Sequence, residues 1–516
     1  MHRKPKQLII SVITTVIVTA FLLEPILAQP PRRLRKFPAR CPDGICDEKE
    51  KADPNLCPED CKNIIETEPA TSTIPTAPTA SPPTVSNEDS PFGIMAAFDM
   101  STLSTINASD KVRWAGTHFK NLGAKWSRAA GEKIFWGIIE PELEKGYNWS
   151  ISDEVLKKVY QNAGSGFNMI VIVSSSRAKG TSSDIPSADE KYFKNFVKAL
   201  VERYDGDGVN DYDPIIKVKY WQADNEPFPR HWEANGGTVE GYIRFAELLS
   251  SSVKEADPDA KIILGTFQLQ TPKQVAQFND VVSAMKNKNL FDYVDTHYLD
   301  SGNNYKIPVT KARNILNSNG YSYVKIMSLE YGTWVGRGSS EKDQAKYLIK
   351  GYVYNLANGV SMINWNNLVE WNNFGGNPRS IYNFMGLIAD GQNGDTIPAG
   401  TGRLSYYAYK KMTETLEGSD WKNIQKIQEN DGIYIYKFTK NNKPIWVAWN
   451  DNADSREVGI SGIPSNQVKI SEAVPRYELG KEIRDYNSAF NQETKTAKSG
   501  KILIKLEDIP VFIEEM

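Results

Sequence analysis

From residue 91 to about residue 420, short β-rich runs alternate with stretches of helical periodicity, and the alternation repeats eight times. The β runs are FGIMAAF (92–98), AKWSRA (124–129), NMIVIVSSS (168–176) and IKVKYWQAD (216–224), then KIILGTF (261–267), FDYVDTHY (291–298), YVKIMSLEY (323–331) and VSMINWNN (360–367). Between them lie amphipathic segments such as YFKNFVKALVERY (192–204), EGYIRFAELLSSSVKEA (240–256) and KDQAKYLIKGYVYNLAN (342–358), and SYYAYKKMTETLE (405–417) closes the series. Apolar strands separated by helices run parallel, because a parallel pair needs a long crossover and the crossover helices cover both faces of the sheet. Eight such units over roughly 325 residues predict a sheet closed into a (β/α)8 TIM barrel. The rival, an open doubly wound sheet, lacks its usual signs: no Gly-x-Gly-x-x-Gly follows the first strand and no Gly-x-x-x-x-Gly-Lys-Ser/Thr occurs. Past residue 420 the period changes from helical to two. GIYIYKF, PIWVAWN, QVKIS, KILIKLE and PVFIEE predict a C-terminal antiparallel β-sandwich over 420–516, packed on a barrel domain at 91–419.

The first ninety residues have a different character. Basic Arg3, Lys4 and Lys6 precede the apolar run Leu8–Leu23, and small Ala28 follows it. Residues 1–28 therefore read either as a signal peptide or as an uncleaved membrane anchor; Arg32, Arg33, Arg35 and Lys36 favour the second, the shortness of the run the first. Both predict a secreted or extracytoplasmic body, with a membrane tether in the anchor case. All four cysteines, Cys41, Cys46, Cys57 and Cys61, fall in the 41–61 knot, which in an exported chain predicts two disulfides in one of three connectivities. Residues 62–90 are rich in Pro, Thr and Ser without periodicity, hence an extended linker.

This distribution narrows the chemistry. The folded body has no thiol for a nucleophile or metal site and only three histidines (His118, His231, His297), too few for a multi-histidine centre. A formal net charge of −2 gives no reason to expect nucleic acid. Carboxylates remain. Reactive groups of barrels sit at the C-terminal strand ends. There the fourth strand ends in WQADNEP, with Asn225 and Glu226, and the seventh in MSLEYGTW, with Glu330. Two carboxylates across one mouth are what glycosidic bond cleavage requires: one protonates the departing oxygen, the other attacks or activates water. Asp224, Glu233, Asp295 and Glu370 also lie near strand ends and read as structural. Flat aromatic faces suit pyranose C–H bonds, which makes Trp136, Trp232, Trp334, Trp365 and Trp371 candidate platforms. Asp205, Asp207, Asp211 and Asp213 in YDGDGVNDYDP form an incomplete Ca²⁺ loop or a polar turn. No cofactor is required for catalysis.

Asn225-Glu226-Pro227 at the end of the fourth strand, with Glu330 at the end of the seventh, resembles clan A of the glycoside hydrolases, the retaining (β/α)8 enzymes. WGIIEPELEKGYNW (136–149) is similar to a stretch of families 39 and 42, and GLIADG (386–391) with SYYAYKK to the closing segment of families 39 and 5. Ser174-Ser175-Ser176-Arg177 stands where family 5 carries a histidine, so the family within the clan stays open. The resemblance implies an oligo- or polysaccharide substrate, with Glu226 as acid/base, Glu330 as nucleophile and Asn225 on the sugar 2-hydroxyl. It further implies Arg128 supporting the nucleophile, His297 or Tyr298 hydrogen-bonded to it, and Trp365 as the sugar's floor. The opposing expectation is a catalytically inactive barrel kept as a carbohydrate-binding envelope protein.

Overall fold

The eight predicted β units form the wall of a closed parallel barrel. Its strands are β1 (Phe92–Met95), β2 (Trp126–Ala129), β3 (Asn168–Val173), β4 (Tyr220–Ala223), β5 (Lys261–Leu264), β6 (Tyr293–Asp295), β7 (Tyr298–Leu299), β8 (Lys325–Gly332) and β9 (Val360–Asn366). Each pairs in parallel with its neighbour, β1 with β9, and β6 with β8, which completes the ring. β6 and β7 are the predicted sixth strand broken at Thr296-His297, and both pieces pair with β8. The fourth and fifth strands are shorter than predicted, because β4 is ladder-bonded to both neighbours only across Tyr220–Ala223.

The structure is a computed structural model that describes residues 90–95, 108–129, 134, 136–164, 166–175, 182–228, 232–300, 304–371, 376–391 and 397–516. The predicted signal or anchor (1–28), cysteine knot with its disulfides (41–61) and linker (62–90, apart from Ser90) lie outside the described residues. Each of the eight β units is followed by a helix: α1 (Ala108–Leu122), α2 (Ser150–Ala163), α3 (Glu190–Tyr204), α4 (Val239–Ala256), α5 (Pro272–Ala284), α6 (Val309–Ser318), α7 (Glu341–Ala357) and α8 (Leu404–Leu416). Two of them start on capping boxes, Thr271 with Gln274 ahead of α5 and Ser340 with Asp343 ahead of α7. Each box satisfies otherwise orphaned N–H groups. Among the described residues no helix is long and apolar enough to cross a membrane.

Alternation along the strands sets the barrel interior. One inward layer is apolar: Trp126, Tyr220, Tyr293 and Met362, with Ile170, Ile263, Met327 and Leu329. Two residues further along four of these strands, the inward row turns polar and stays buried, with Arg128, Gln222, Asp295 and Asn364. The barrel thus has an apolar floor and a polar mouth at its C-terminal end.

The C-terminal module consists of β10 (Gln425–Asn430), β11 (Ile433–Lys440), β12 (Lys443–Asn450), β13 (Arg456–Ser461), β14 (Gln467–Glu472), β15 (Gln492–Thr496), β16 (Lys501–Leu506) and β17 (Val511–Glu515). Six of these form one antiparallel sheet, β10-β11-β12-β17-β14-β15, and β13-β16 form a second. Period-two alternation divides β11 between two cores. Ile433 and Ile435 face the second sheet's Ile460, Ile502 and Ile504, while Tyr434, Tyr436 and Phe438 join the barrel's outer core. The predicted sandwich is therefore present, with one face given to the barrel. Buried Lys350 of α7 pairs with Asp451 (2.8 Å) and Asp508 of the module, so the charge it carries out of water is matched on the spot.

Candidate active site

Glu330 owes its aim to an irregularity in β8. Leu329 belongs to the inward apolar layer, so strict alternation would turn Glu330 outward. Between Ser328 and Tyr331, however, β8 has one residue more than β9, whose partners there are Ile363 and Trp365. This bulge lets two consecutive side chains point inward, and Glu330 reaches the mouth. Arg128 Nη1 donates to Glu330 Oε1 (2.9 Å) and Asn366 Nδ2 donates to Oε2 (3.2 Å). Arg128 is itself buried and each of its three nitrogens is used: Nε also donates to Gln222 (2.7 Å) and Nη2 to Asn225 Oδ1 (2.6 Å). One guanidinium thereby ties β2, the end of β4 and β8 together, a use of its planar fork that lysine does not reproduce.

Glu226 sits just past β4 on a strained turn. Asp224 and Glu226 both have left-handed φ, +64° and +46°, a conformation that costs a non-glycine residue roughly 1–2 kcal/mol. Such strain is held by surrounding structure and concentrates at functional sites. Here Asp224 N–H bonds the Val173 carbonyl (3.0 Å) and Glu226 Oε1 accepts from Gln268 Nε2 (3.0 Å).

His297, at the break between β6 and β7, lies between the two glutamates. Its Nδ1 is 3.0 Å from Glu226 Oε1 and 3.7 Å from Glu330 Oε2, and its Nε2 is 3.1 Å from Asp295 Oδ2. Burial opposes a charge on the ring, but the carboxylates of Glu330 and Asp295 outweigh it and raise the imidazole to about 10. Asp295 is held below the ordinary aspartate range: burial works the other way, and His297 and Arg128 prevail. One oxygen of Glu226, one of Glu330 and a His297 nitrogen all lie within 4.8 Å of one another, a spacing that would also suit a metal ion.

Several expectations need correction. Trp365 stands between inward-facing Asn364 and Asn366, so it faces outward; it is fully buried against Tyr331 and Tyr347 and is no floor for a sugar. Trp136 stacks on Phe196 and bonds Glu140, and Trp232 packs on Tyr242 and Phe245 and bonds Asp184, so both are core residues. Tyr298 gives its hydroxyl to Asp300 (3.1 Å) rather than to Glu330, whose donors are Arg128 and Asn366. Trp334 and Trp371 keep partly exposed faces, with Trp371 stacked on Tyr382. Asp205, Asp207 and Asp211 do come together, whereas Asp213 pairs with Lys157 (2.8 Å) on α2. The loop's own N–H groups use the three: Gly206 and Gly208 donate to Asp211, Val209 to Asp207, and Asp207 to Asp205.

Of the residues read as structural, Glu233 pairs with Lys273 and Glu370 with Arg403 away from the site, but Asp295 belongs to it. The reading also passed over Gln222, Gln268, Thr266 and Asn366. Polar residues in the inward row of otherwise apolar strands were the available signal for Gln222 and Asn366.

No family model and no curated protein sequence matches the chain. Solved structures do share its architecture. A family 39 glycoside hydrolase from Bacteroides cellulosilyticus WH2 superposes with a TM-score of 0.61 at 14% identity, covering 84% of this chain and 83% of that one. For a family 39 β-xylosidase from Caulobacter crescentus the values are 0.56 and 12%, over 83% and 97%. For a conserved exported protein from Bacteroides fragilis they are 0.53 and 14%, over 82% and 96%. At these identities the likeness is one of fold: a TIM barrel carrying a C-terminal β-sandwich.

Proposed function

We propose that the protein is an exported retaining glycoside hydrolase of clan A that cleaves O-glycosidic bonds in an oligo- or polysaccharide. The observation that carries the reading is the pair of buried carboxylates, Glu226 and Glu330, with oxygens within 4.8 Å at the barrel mouth. Retaining enzymes hold the two carboxyl groups about 5–5.5 Å apart, whereas inverting ones need roughly 6.5–9.5 Å to admit a water. Glu330, held by Arg128 and Asn366, attacks the anomeric carbon while Glu226 gives its proton to the departing oxygen. Glu226 then takes a proton from the water that releases the sugar from Glu330. Charge balance asks for one proton on the carboxyls, and the acid role assigns it to Glu226. The cluster has two cations, Arg128 and His297, and three carboxyls, Glu226, Glu330 and Asp295; one proton on Glu226 makes it neutral. Asn225, oriented by Arg128, is placed for a sugar hydroxyl. Export rests on the N-terminal apolar run, and an exported structural neighbour agrees with it.

The test is a series of aryl glycosides with leaving groups of graded acidity. Glu330→Ala should abolish hydrolysis of all of them. Glu226→Ala should keep glycosylation fast with dinitrophenolate, and azide should restore turnover as a glycosyl azide of unchanged anomeric configuration. Inverted product, or losses below about tenfold against the 10²–10⁴ expected of acid/base work, would sink the reading.

A further inference from the structure

Glu226 has two carboxyl oxygens, and the hydrogen bonds behind it differ between them. The chain of bonds starts at the cap of α5. There Gln274 Oε1 accepts from the backbone N–H groups of Thr271 (2.9 Å) and Gln270 (3.1 Å) and from the Thr271 hydroxyl (3.1 Å). A backbone N–H can only donate, so this end of the Gln274 amide is the carbonyl and the other is the NH2. That NH2 donates to Gln268 Oε1 (2.9 Å). The Gln268 amide is thereby turned with its own NH2 toward Glu226, and Nε2 donates to Glu226 Oε1 (3.0 Å). Between Gln268 and Gln270, buried Leu269 has φ +55°, a left-handed conformation that a leucine rarely adopts. Strain of this kind persists where surrounding structure over-determines it, and here the residues on both sides of Leu269 bond Gln274.

His297 Nδ1, at 3.0 Å, is a second donor to the same Glu226 oxygen. The ring is fixed from behind: Nε2 faces Asp295 Oδ2 (3.1 Å), which also accepts from Thr266 Oγ1 (2.6 Å) and Gln222 Nε2 (2.8 Å). A carboxylate only accepts, so Nε2 carries hydrogen, and the imidazolium carries one on Nδ1 as well. Oε1 of Glu226 therefore receives two N–H groups, which occupy both of its lone pairs.

We propose that Gln268 and Gln274 are positioning residues that keep Oε1 of Glu226 an acceptor throughout the cycle, so that the catalytic proton resides on Oε2. Oε2 gives that proton to the departing oxygen as the bond from this oxygen to the anomeric carbon breaks and the bond to Glu330 forms. It regains one from the water that displaces Glu330. The inference rests on the glycoside hydrolase reading of Glu226.

Gln274→Glu separates orientation from packing. Glutamate at this place in a capping box still accepts the Thr271 and Gln270 N–H groups, so the cap survives. It cannot donate to Gln268 Oε1, however; it draws the Gln268 NH2 to itself and leaves the Gln268 carbonyl against Glu226. The experiment measures kcat and KM of the full-length parent, Gln268→Leu and Gln274→Glu on dinitrophenyl and phenyl glycosides. One hydrogen bond to a group that is charged in part of the cycle is worth about tenfold. Both variants should lose about that much on the phenyl glycoside, in kcat with KM unmoved. On the dinitrophenyl glycoside, which needs no acid, kcat/KM should fall by less than about twofold. Gln274→Glu should also unfold at the parent's temperature. With an active parent, equal losses on both leaving groups, or none, overturn the proposal. If Gln268→Leu does not fold, Gln274→Glu decides. Infrared difference spectra, each protein minus its Glu226→Gln counterpart, read the same bonds without turnover, because a hydrogen bond to a carbonyl oxygen lowers its stretching frequency. The band of the protonated Glu226 carboxyl should move up in both variants. An upshift with no glycoside hydrolysed keeps the proton on Oε2 and removes the glycosidase. Hydrolysis with an unmoved band and variants indifferent to the leaving group does the reverse.

Discussion

Asp224→Asn should make the protein more stable at neutral pH than at acid pH, relative to the parent. Asp224 is buried behind the strained turn that carries Glu226; its Oδ1 accepts from the Ser182 hydroxyl (3.0 Å), while its buried Oδ2 has no partner among the described residues. Burial pushes the carboxyl from 3.8 up to about 7, against the pull of the Asn225 N–H, Ser182 and Arg128. Each tenfold change in proton affinity corresponds to about 1.4 kcal/mol, so ionising Asp224 destabilises the fold by about 4 kcal/mol. The sign follows from the direction of the shift. The folded chain binds this proton more tightly than the unfolded one, so its contribution is complete below pH 3.8, is lost as the pH climbs to about 7, and is constant above. The variant has no such charge and escapes the loss. Its own amide meets an unpartnered site and costs about 1–3 kcal/mol, but equally at every pH. Every other titrating group is common to both proteins and cancels in the difference. With roughly 2.1 cal/mol/K of unfolding entropy per residue over the unit Ser81–Met516, the gap corresponds to about 4 °C. Scanning calorimetry of both proteins from pH 4 to pH 8 should show the difference in Tm (variant minus parent) rising by that amount, most of it below pH 7. A difference that stays flat across the range would mean that Asp224 ionises like an ordinary aspartate, and the argument from its orphaned oxygen would be wrong.

Arg128→Met leaves buried Glu330 with only His297, at 3.7 Å, as counter-charge, which should lower unfolding free energy by about 3 kcal/mol in urea titrations. Arg128→Lys should recover little activity, since an ammonium does not span Gln222, Asn225 and Glu330 together; full recovery would show that only the charge matters. The two tryptophans should separate packing from binding. Trp365→Phe, in the outer core, should lower Tm and leave KM alone, whereas Trp334→Ala, half-exposed just past β8, should raise KM with little effect on Tm; the opposite pattern would return Trp365 to the sugar.

What the sequence discloses depends on how many strands a feature involves. That Glu226 and Glu330 stand at the mouth follows from single segments, because strand ends are marked locally by Asn225-Glu226-Pro227 and by Glu330-Tyr331-Gly332. The polar inward row was legible in the same way. Trp126-x-Arg128, Tyr220-x-Gln222, Tyr293-x-Asp295 and Met362-x-Asn364-x-Asn366 each step from the floor to the mouth by two residues, and that last row also puts Trp365 on the outside. Trp136 and Trp232 had no such rule, since they lie on short helical turns whose inner faces are decided by Phe196, Tyr242 and Phe245 from other helices. Asp213 likewise finds Lys157 more than fifty residues away in the chain. The aim of Glu330 is the sharpest case. Period two allows either Leu329 or Glu330 to face inward, and both do, because β8 carries one residue more than the stretch of β9 it pairs with. A bulge is a property of two strands in register, so no reading of β8 alone would find it, although the nucleophile proposed for this enzyme depends on it.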